Sequence, residues 1–336
     1  MKAQLDYRDL QTLLAEWKIN SFRYDAYVRS IVIRELNRAQ KSILASVLSE
    51  DFGSVTKRDL QRLTRKINTI IDENYDRIES FLEKTGKDFF IASHQVEAFV
   101  YNQWLGANLI TSLPKYKLEA IKVTPLFEGR PLGDWWARQR ESLKFNVETA
   151  IRSGNVIGET PYNIAKEIRN KIGITQRQAE TLVRTANSSI SSAAQERLID
   201  TNKDILYAKQ HVSTLDSRTT SICQHRDGLK WKIDGTPIGH SLPFIEPPLH
   251  PNCRSIVIMV IDKNAESTRA SEFGQVDASL RYEDWLKDQP DAYQDQVLGK
   301  RKARWFRENK LNLSQMLDQS ERPLTIEQLR NRYSLR

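Results

Sequence analysis

Two cysteines and two histidines form two short pairs that could bind a metal ion. One residue separates Cys223 from His225, and two residues separate His250 from Cys253. Thiolates and imidazoles are the ligands of structural zinc sites, so one interpretation is a zinc ion that ties a loop to the neighbouring strands. The first pair is tighter than the usual spacing of zinc ligands, which leaves two to four residues between them.

Two other interpretations of these residues stay open. Cys223 and Cys253 could be small buried side chains, with His250 hydrogen-bonded to the backbone at the end of a loop. Alternatively, the two cysteines could form a disulfide. Since the chain has only two cysteines, it cannot build a disulfide framework, and we expect synthesis in a reducing cytoplasm.

Charged residues occur in the same stretches as the cysteines, namely Asp216, Arg218, Asp227 and Arg254. Such residues take part in acid-base and phosphate chemistry. They also form stable pairs, because a guanidinium group matches a carboxylate geometrically. We expect Arg254 and Arg218 to pair with Asp216 and Asp227 and to hold a loop against a strand.

The sequence favours a protein that is not an enzyme. None of the hydrolase and nucleotide-binding motifs HExxH, GxSxG and the Walker loop occurs in the chain. The enzymatic alternative is a metal-dependent hydrolase or nuclease that uses His225 and His250.

A basic segment near the carboxy terminus could contact nucleic acid. The formal net charge of +8 favours association with a polyanion, and Trp305 and Phe306 lie within the segment. The candidate contacts to DNA phosphates are Lys300, Arg301, Lys302, Arg304 and Arg307. In the alternative interpretation, the two aromatic side chains fix the segment to the fold while the cations face solvent.

Sequence patterns argue against three other classes: membrane-spanning, exported and sequence-specific DNA-binding proteins. The longest purely apolar run, residues 256–261, is too short to span a membrane. Residues 1–18 interleave charged and apolar side chains, so we expect no export signal. No helix-turn-helix or zinc-finger pattern is present, so any DNA binding would be independent of sequence and sensitive to salt.

The first third of the chain predicts long helices. Apolar residues recur at three- and four-residue spacing from Leu60 to Leu82, and Thr56 with Asp59 resembles a capping box. No proline precedes Leu113, so long helices are permitted. We predict a helical amino-terminal region over 1–125, an arm or bundle that docks on a partner.

A turn-rich stretch at 124–134 suggests a domain boundary, and a second helical set follows it. One helix begins at Asp134. A short helix begins behind Thr160 and ends at Gly173, and Thr175 opens another with a capping box to Gln178.

Three strands are predicted after these helices, at 205–212, 228–233 and 254–261. The proline-rich connection 234–252 is expected to be irregular. The fold class is therefore α+β and predominantly helical, with a compact domain containing a small antiparallel sheet at 126–262. A basic, polar, partly helical extension follows at 263–336 and has little apolar surface of its own.

Three segments in order resemble the Mu F-like head-morphogenesis family of tailed bacteriophages. They are a helix at 175–199 that carries Arg184 and Thr185, the stretch 213–228 followed by 247–254, and the stretch 282–299 followed by 324–330. The central stretch contains the most specific pattern. Its signature residues are Asp216, Arg218, Asp227, Gly228 and Arg254.

This chain departs from the family pattern at three positions. Ala186 replaces an acidic residue, and Thr220 and Ser255 stand where the family often has further cysteines. The resemblance implies a minor head protein, incorporated in several copies inside the head near the portal and acting in DNA packaging or ejection. The implied partners are the portal protein, the capsid interior and double-stranded DNA, with no membrane involved during assembly in the host cytoplasm.

Overall fold

The computed structural model describes residues 7–124, 126–127, 130–262 and 268–335. The described chain packs as two compact units. Unit 1 comprises 7–15, 94–113 and 194–335, and unit 2 comprises 16–93 and 114–193. In the turn predicted at 124–134, Pro125 and Gly129 lie outside the described residues.

This division differs from the linear ranges 1–125, 126–262 and 263–336. Two helices, α2 (Lys57–Leu105) and α5 (Pro161–Thr201), each contribute residues to both units. A boundary that falls within a helix leaves no proline, glycine or charge cluster in the sequence to mark it.

Unit 2 is built from helices around one apolar core. Besides its parts of α2 and α5, it contains most of α1 (Tyr7–Leu48), all of α3 (Lys115–Ala120) and α4 (Leu132–Val156), and the strand pair β1 (Leu126–Phe127) and β2 (Arg130–Pro131). Buried side chains recur at helical spacing along each long helix, which places them on one face. They include Val32, Leu36, Ile43, Ile67, Ile71, Leu143, Val147, Ile168 and Ile172.

The start of α2 confirms the predicted capping box. The Asp59 amide donates to Thr56 Oγ1 at 3.2 Å, and the Thr56 amide donates to Asp59 Oδ2 at 3.1 Å. Each residue thus satisfies a backbone donor that the helix itself cannot pair. Deeper in the unit, the buried Tyr75 hydroxyl donates to Gln139 Oε1 at 3.0 Å and links α2 to α4.

The prediction of separate helices on either side of Gly173 is wrong, because α5 runs without interruption from Pro161 to Thr201. Ile172 and Ala179 are buried in the same core on both sides of the glycine. Thr175 does not cap a helix, and its hydroxyl donates to the Lys171 carbonyl one turn earlier at 3.2 Å. Core packing has outweighed the low helix propensity of one glycine.

Unit 1 contains the predicted antiparallel sheet. The predicted strands are confirmed as β3 (Ala208–Val212), β4 (Lys230–Trp231) and β6 (Ile256–Val260), and β5 (Pro237–Ile238) lies within the connection that was expected to be irregular. The strand order is β5-β4-β3-β6. In the central pair, Ala208 lies opposite Val260 and Val212 opposite Ile256.

The carboxy-terminal part of unit 1 has an apolar core of its own, contrary to the expected scarcity of apolar surface. A hairpin of β7 (Thr268–Ser271) and β8 (Gly274–Asp277) precedes helices α7 (Tyr282–Lys287), α8 (Asp291–Leu298), α9 (Lys300–Arg307) and α10 (Ile326–Tyr333). Gly299, at φ +78°, separates α8 from α9. The buried residues of this core include Leu215, Tyr282, Trp285, Leu286, Trp305, Phe306 and Leu329.

The predicted fold class, a predominantly helical α+β protein with a small antiparallel sheet, is confirmed. The short helix α6 (Ser221–Arg226) and 3₁₀ turns at Lys203–Ile205 and Ser314–Met316 complete the described secondary structure. Among the described helices, none combines the length and the apolar character needed to cross a membrane.

Candidate metal centre and signature charges

The fold brings three of the four predicted metal ligands together. Cys223 lies on α6 (Ser221–Arg226), and His250 and Cys253 lie in the connection that leads into β6. Their ligand atoms all lie within 4.8 Å of one another. The two sulfur atoms are 3.7 Å apart, and Cys223 Sγ lies 3.2 Å from His250 Nε2.

These distances fit a tetrahedral zinc ion. Two sulfur atoms bound to one zinc at about 2.3 Å lie about 3.8 Å apart, close to the separation in this fold. Neither cysteine forms a disulfide and both are buried, since their sulfur atoms are much farther apart than the roughly 2.05 Å of a disulfide bond. The separations therefore fit a metal centre and also a hydrogen-bonded pair of buried thiols, and they exclude a disulfide.

The orientation of His250 directs its Nε2 atom towards the two cysteines, where it could bind a metal. Its Nδ1 lies 2.8 Å from the Pro251 carbonyl oxygen, which accepts only if Nδ1 carries the proton. Nε2 then carries no proton, and its lone pair faces Cys223. The Thr220 hydroxyl lies 2.8 Å from the same Nε2 and supplies an oxygen at a position where the family often has cysteine.

The electrostatics favour one thiolate in this group. The hydrogen bond from Cys223, together with His250, lowers the pKa of Cys253 to about 3 against the effect of burial. Hydrogen bonding to Cys253 and burial raise the pKa of Cys223. Although burial opposes it, the interaction with Cys253 raises the pKa of His250. A thiolate is the form of cysteine that binds metal.

His225 does not belong to this group in the described structure. Burial lowers the pKa of its imidazole. Its backbone carbonyl accepts a hydrogen bond from Arg281 Nη2 at 3.2 Å. The close spacing of Cys223 and His225 on one short helix is the reason, since residues two apart on a helix do not share a face.

Asp216 and Arg254 form the expected pair. Arg254 donates from both terminal nitrogens, at 2.5 Å to Asp216 Oδ2 and 2.7 Å to Oδ1. Against the effect of burial, these bonds lower the pKa of Asp216. Arg218 is mostly exposed and reaches Asp216 only at 3.7 Å, although its backbone amide donates to Oδ1 at 3.0 Å. The loop is thus held mainly by Arg254.

Asp227 pairs with an arginine that the sequence did not indicate. Its fully buried carboxylate accepts from Arg269 Nη1 at 2.9 Å and Nη2 at 3.0 Å. It also accepts from the backbone amides of Ser213 and Tyr282, both at 2.7 Å. The expected pairing of Asp227 with Arg254 or Arg218 is wrong, since Arg269 comes from the unpredicted strand β7.

Gly228 makes room for a second unpredicted arginine. It has φ +77°, and a Cβ atom built there would lie 2.8 Å from Arg281 Cγ. Arg281 Nε in turn donates to the Asp227 carbonyl at 2.9 Å. Glycine is therefore required twice at this position, for its backbone conformation and for the close approach of Arg281.

Two further buried groups beside the site were not predicted. Arg226 is fully buried, and its Nε lies 2.9 Å from Glu321 Oε1, nearly a hundred residues away in sequence. His211 is buried on β3, and neither ring nitrogen has a hydrogen-bond partner among the described residues. Burial lowers its pKa to about 4. His211 shares its face of β3 with Lys209, which is also buried, so residue type gave no sign of an inward His211, and no local signal points to Glu321.

The predicted nucleic-acid contacts lie on α9, where Trp305 and Phe306 are both buried. Lys302 Nζ donates to the Leu324 carbonyl at 2.6 Å. Arg304 pairs with Glu308 and Arg307 with Asp295. Lys300 and Arg301 are exposed. The two aromatic side chains thus fix the segment to the fold, as in the alternative interpretation.

Comparison with protein families gives a match to the model described as Phage Mu protein F like protein, over residues 145–258. This range contains α5, the sheet strands β3 and β4, and all three grouped metal-ligand candidates. No solved structure matches the chain.

Two characterised proteins are similar to the chain. Minor head protein GP7 of Bacillus phage SPP1 is 24% identical over 304 residues, which cover 80% of this chain and 97% of that protein. An NAD(+)--arginine ADP-ribosyltransferase, EFV, of Enterococcus faecalis is 26% identical over 264 residues. That match covers 71% of this chain and 52% of the transferase, so the chain spans about half the length of that relative.

Proposed function

Because the chain belongs to the Mu F-like family of phage minor head proteins, we propose that it is a structural and assembly protein of the virion head, located inside the head near the portal. It contacts the portal protein and packaged double-stranded DNA and acts in head morphogenesis and in DNA packaging or ejection. In this role it is not an enzyme.

The near full-length match to the SPP1 minor head protein carries the proposal. The alignment covers 97% of that protein and 80% of this chain. Since neither unit makes up as much as 80% of the chain, the alignment reaches into both units. The match to the transferase covers only about half of that relative. The ADP-ribosyltransferase activity in that relative's name is therefore not assigned to the region that the two chains share.

Particle composition tests the proposal. Virions and procapsids of the phage that carries the gene are purified, and the protein is quantified by mass spectrometry against the portal protein. We expect several copies per particle, cross-linked to the portal protein. Absence from both particles, in cells that make the protein well, would contradict a role in the head.

Particles assembled without the protein separate packaging from ejection. Empty heads would assign the protein to packaging. Filled heads that fail to deliver their DNA would assign it to ejection. Particles with normal DNA content and normal delivery would contradict both roles.

We also propose that Cys223, His250 and Cys253 hold a structural zinc ion, with the Thr220 hydroxyl beside His250 as a fourth donor. The separations of the donor atoms and the unprotonated Nε2 of His250 support this ligand set. Bound zinc would tie α6 to the connection before β6 and contribute directly to folding. Asp216, the signature carboxylate nearby, is held by Arg254 and Thr219 and so supports structure rather than acid-base chemistry.

Elemental analysis of the purified protein tests the zinc site. We expect about one zinc per chain, lost in the variant Cys253→Ser, and a lower melting temperature after chelation. His225→Ala is the matched control and should keep its zinc. If the protein contains no metal and chelators do not change its melting temperature, the proposal is contradicted. In that case Cys253→Ser would still cost about 1 to 3 kcal/mol through a newly buried hydroxyl.

A further inference from the structure

We propose that one face of α1 together with Arg169 of α5 is the surface of unit 2 that binds the phosphate backbone of duplex DNA. The inference rests on the proposed function, in which packaged DNA is a partner, and it identifies the residues that make the contact. The surface, here called the α1 groove, contains Arg34, Arg38, Lys41 and Arg169.

The geometry gathers these cations on one side of unit 2. Arg34, Arg38 and Lys41 are four and three residues apart, so they share one helix face over about 10 Å of its length. Arg169 faces them from α5 across a groove of about 810 Å³. Asn37 and Gln40 line the same groove and add amide donors, which also bind phosphate oxygens.

The groove cations are available to a ligand. Arg34, Lys41 and Arg169 are exposed, and within the described part of the chain no carboxylate oxygen lies within 4.0 Å of their nitrogens. Only Arg38 has such a partner, Glu35, and Glu35 also pairs with Arg77. Of the described residues that line the groove, none is acidic. A phosphate backbone is the ligand that complements four cations, three of which have no acidic partner among the described residues.

The groove is held in shape from within the unit. Gln176 of α5 donates from Nε2 to Asn37 Oδ1 at 2.8 Å, which connects the two walls. Beneath the cations, Leu36 and Ile43 of α1 and Ile168 of α5 are buried in the core. The cations therefore stand on packed helices and need little ordering when they bind.

The contrast with α9 favours the groove over the segment predicted from the sequence. Lys302, Arg304 and Arg307 each have a partner within unit 1. These cations would have to give up a hydrogen bond or ion pair to meet a phosphate. Lys300 and Arg301 are the exposed cations that remain there, so they form the natural control pair.

Binding of the full-length protein to a labelled duplex of random sequence tests the proposal. Fluorescence anisotropy at several salt concentrations gives both the affinity and the number of counterions released. The test variant combines Arg34→Ala, Lys41→Ala and Arg169→Ala, and the control combines Lys300→Ala with Arg301→Ala. All of these side chains are exposed, and circular dichroism melts check that both variants keep their fold.

We expect the triple variant to lose at least about tenfold in affinity at 0.1 M salt. Its slope of log affinity against log salt should decrease by about 0.9 for each lost phosphate contact, hence by about 2 to 3, while the control changes by less than one contact. A triple variant with the affinity and slope of the parent, or a larger loss in the control, would overturn the assignment.

Two further outcomes separate this inference from the proposed function. If the parent protein binds no duplex but binds vesicles rich in anionic lipid, the groove is not a DNA surface and the inference is overturned. Mass spectrometry of particles is independent of this result, because a head protein would still be found there. If the protein binds DNA as expected but is absent from particles, the proposed role in the head is contradicted and the assignment of the α1 groove is kept.

Discussion

Different interactions stabilise the interior of each unit. Unit 2 is a helical body whose core is apolar side chains at helical spacing, with ion pairs such as Asp72 with Arg140 near the surface. Around its sheet, unit 1 also buries arginine–carboxylate pairs between distant segments. These pairs are Asp227 with Arg269, Arg226 with Glu321, and Asp216 with Arg254.

This difference shows how each unit obtains a defined shape. Helices supply their own backbone hydrogen bonds, so unit 2 needs only an apolar stripe to pack them. The connections of unit 1 have few regular bonds, and buried charges supply donors and acceptors in their place. A buried charge that loses its partner is costly, whereas an exposed one is solvated by water. The two units should therefore respond differently to loss of a single carboxylate.

The largest effect is expected at Asp227. In the variant Asp227→Ala, the guanidinium of Arg269 and the amides of Ser213 and Tyr282 lose their acceptor inside the protein. We expect a loss of about 3 to 5 kcal/mol in the free energy of unfolding, measured by urea denaturation.

The counterpart in unit 2 is Asp72→Ala, which removes one of the two acidic partners of Arg140 and of Lys144 at a partly exposed position. Here we expect a loss of about 1 kcal/mol or less. Equal losses for Asp72→Ala and Asp227→Ala would mean that the contrast between the two units is false.

A smaller effect is expected from a methyl group at Gly228. Gly228→Ala places Cβ against Arg281, whose side chain is held by the carbonyls of Asp227 and His225. We expect a loss of about 2 to 3 kcal/mol. Gly158, in unit 2, has φ +72° but open space around it, so Gly158→Ala should lose only about 1 kcal/mol from the backbone conformation. Thermal denaturation of both variants checks whether the clash adds to the strain.

The third prediction concerns a buried carboxyl group of unit 1. Burial and the negative charge of Glu196, opposed by Lys209, raise the pKa of Glu246 well above its ordinary value. In the charged form, neither carboxyl oxygen of Glu246 has a partner among the described residues. A proton would let Glu246 donate to Glu196.

The sign follows from proton linkage. The folded protein holds this proton more tightly than the unfolded chain, so stability falls as pH rises from the ordinary carboxyl pKa towards the raised one. Glu246→Gln should remove this part of the pH dependence and gain on the order of 1 kcal/mol at pH 8. Melting temperatures from pH 5 to pH 8 measure it, with exposed Glu73→Gln as control. If the melting temperature of Glu246→Gln depends on pH as that of the parent does, the proposed interaction between Glu246 and Glu196 is contradicted.

Most of the helices and the sheet could be predicted from the sequence. Apolar spacing and the pair Thr56 and Asp59 marked the start of α2. Strand-forming residues marked β3, alternation marked β4, and a continuous apolar run marked β6. These signals are local, because they depend on residues within a few turns. The hairpin that carries Arg269 has short strands and polar residues, so it gave no such signal.

The candidate site could be predicted only in part, for the same reason. Cys223, His250 and Cys253 were identified from residue type, and the Asp216–Arg254 pair from geometric matching. The partners of Asp227 and Arg226 depend on which distant segments the tertiary structure brings close. His225 is close to Cys223 in sequence, which suggested a pair of ligands. Helical geometry nevertheless separates His225 from the ligand group.

The smallest effect tests the helix that the sequence divided in two. If α5 is continuous, Gly173 lies inside a helix, where alanine is favoured over glycine by about 0.5 to 1 kcal/mol. A Cβ atom at this position would meet nothing within 4 Å, so Gly173→Ala should stabilise the protein by this amount and raise the melting temperature by a few degrees. If a helix instead ended at Gly173 in a left-handed conformation, the same substitution would destabilise by about 1 kcal/mol, as expected for Gly158→Ala. The sign of the change alone therefore decides between one helix and two.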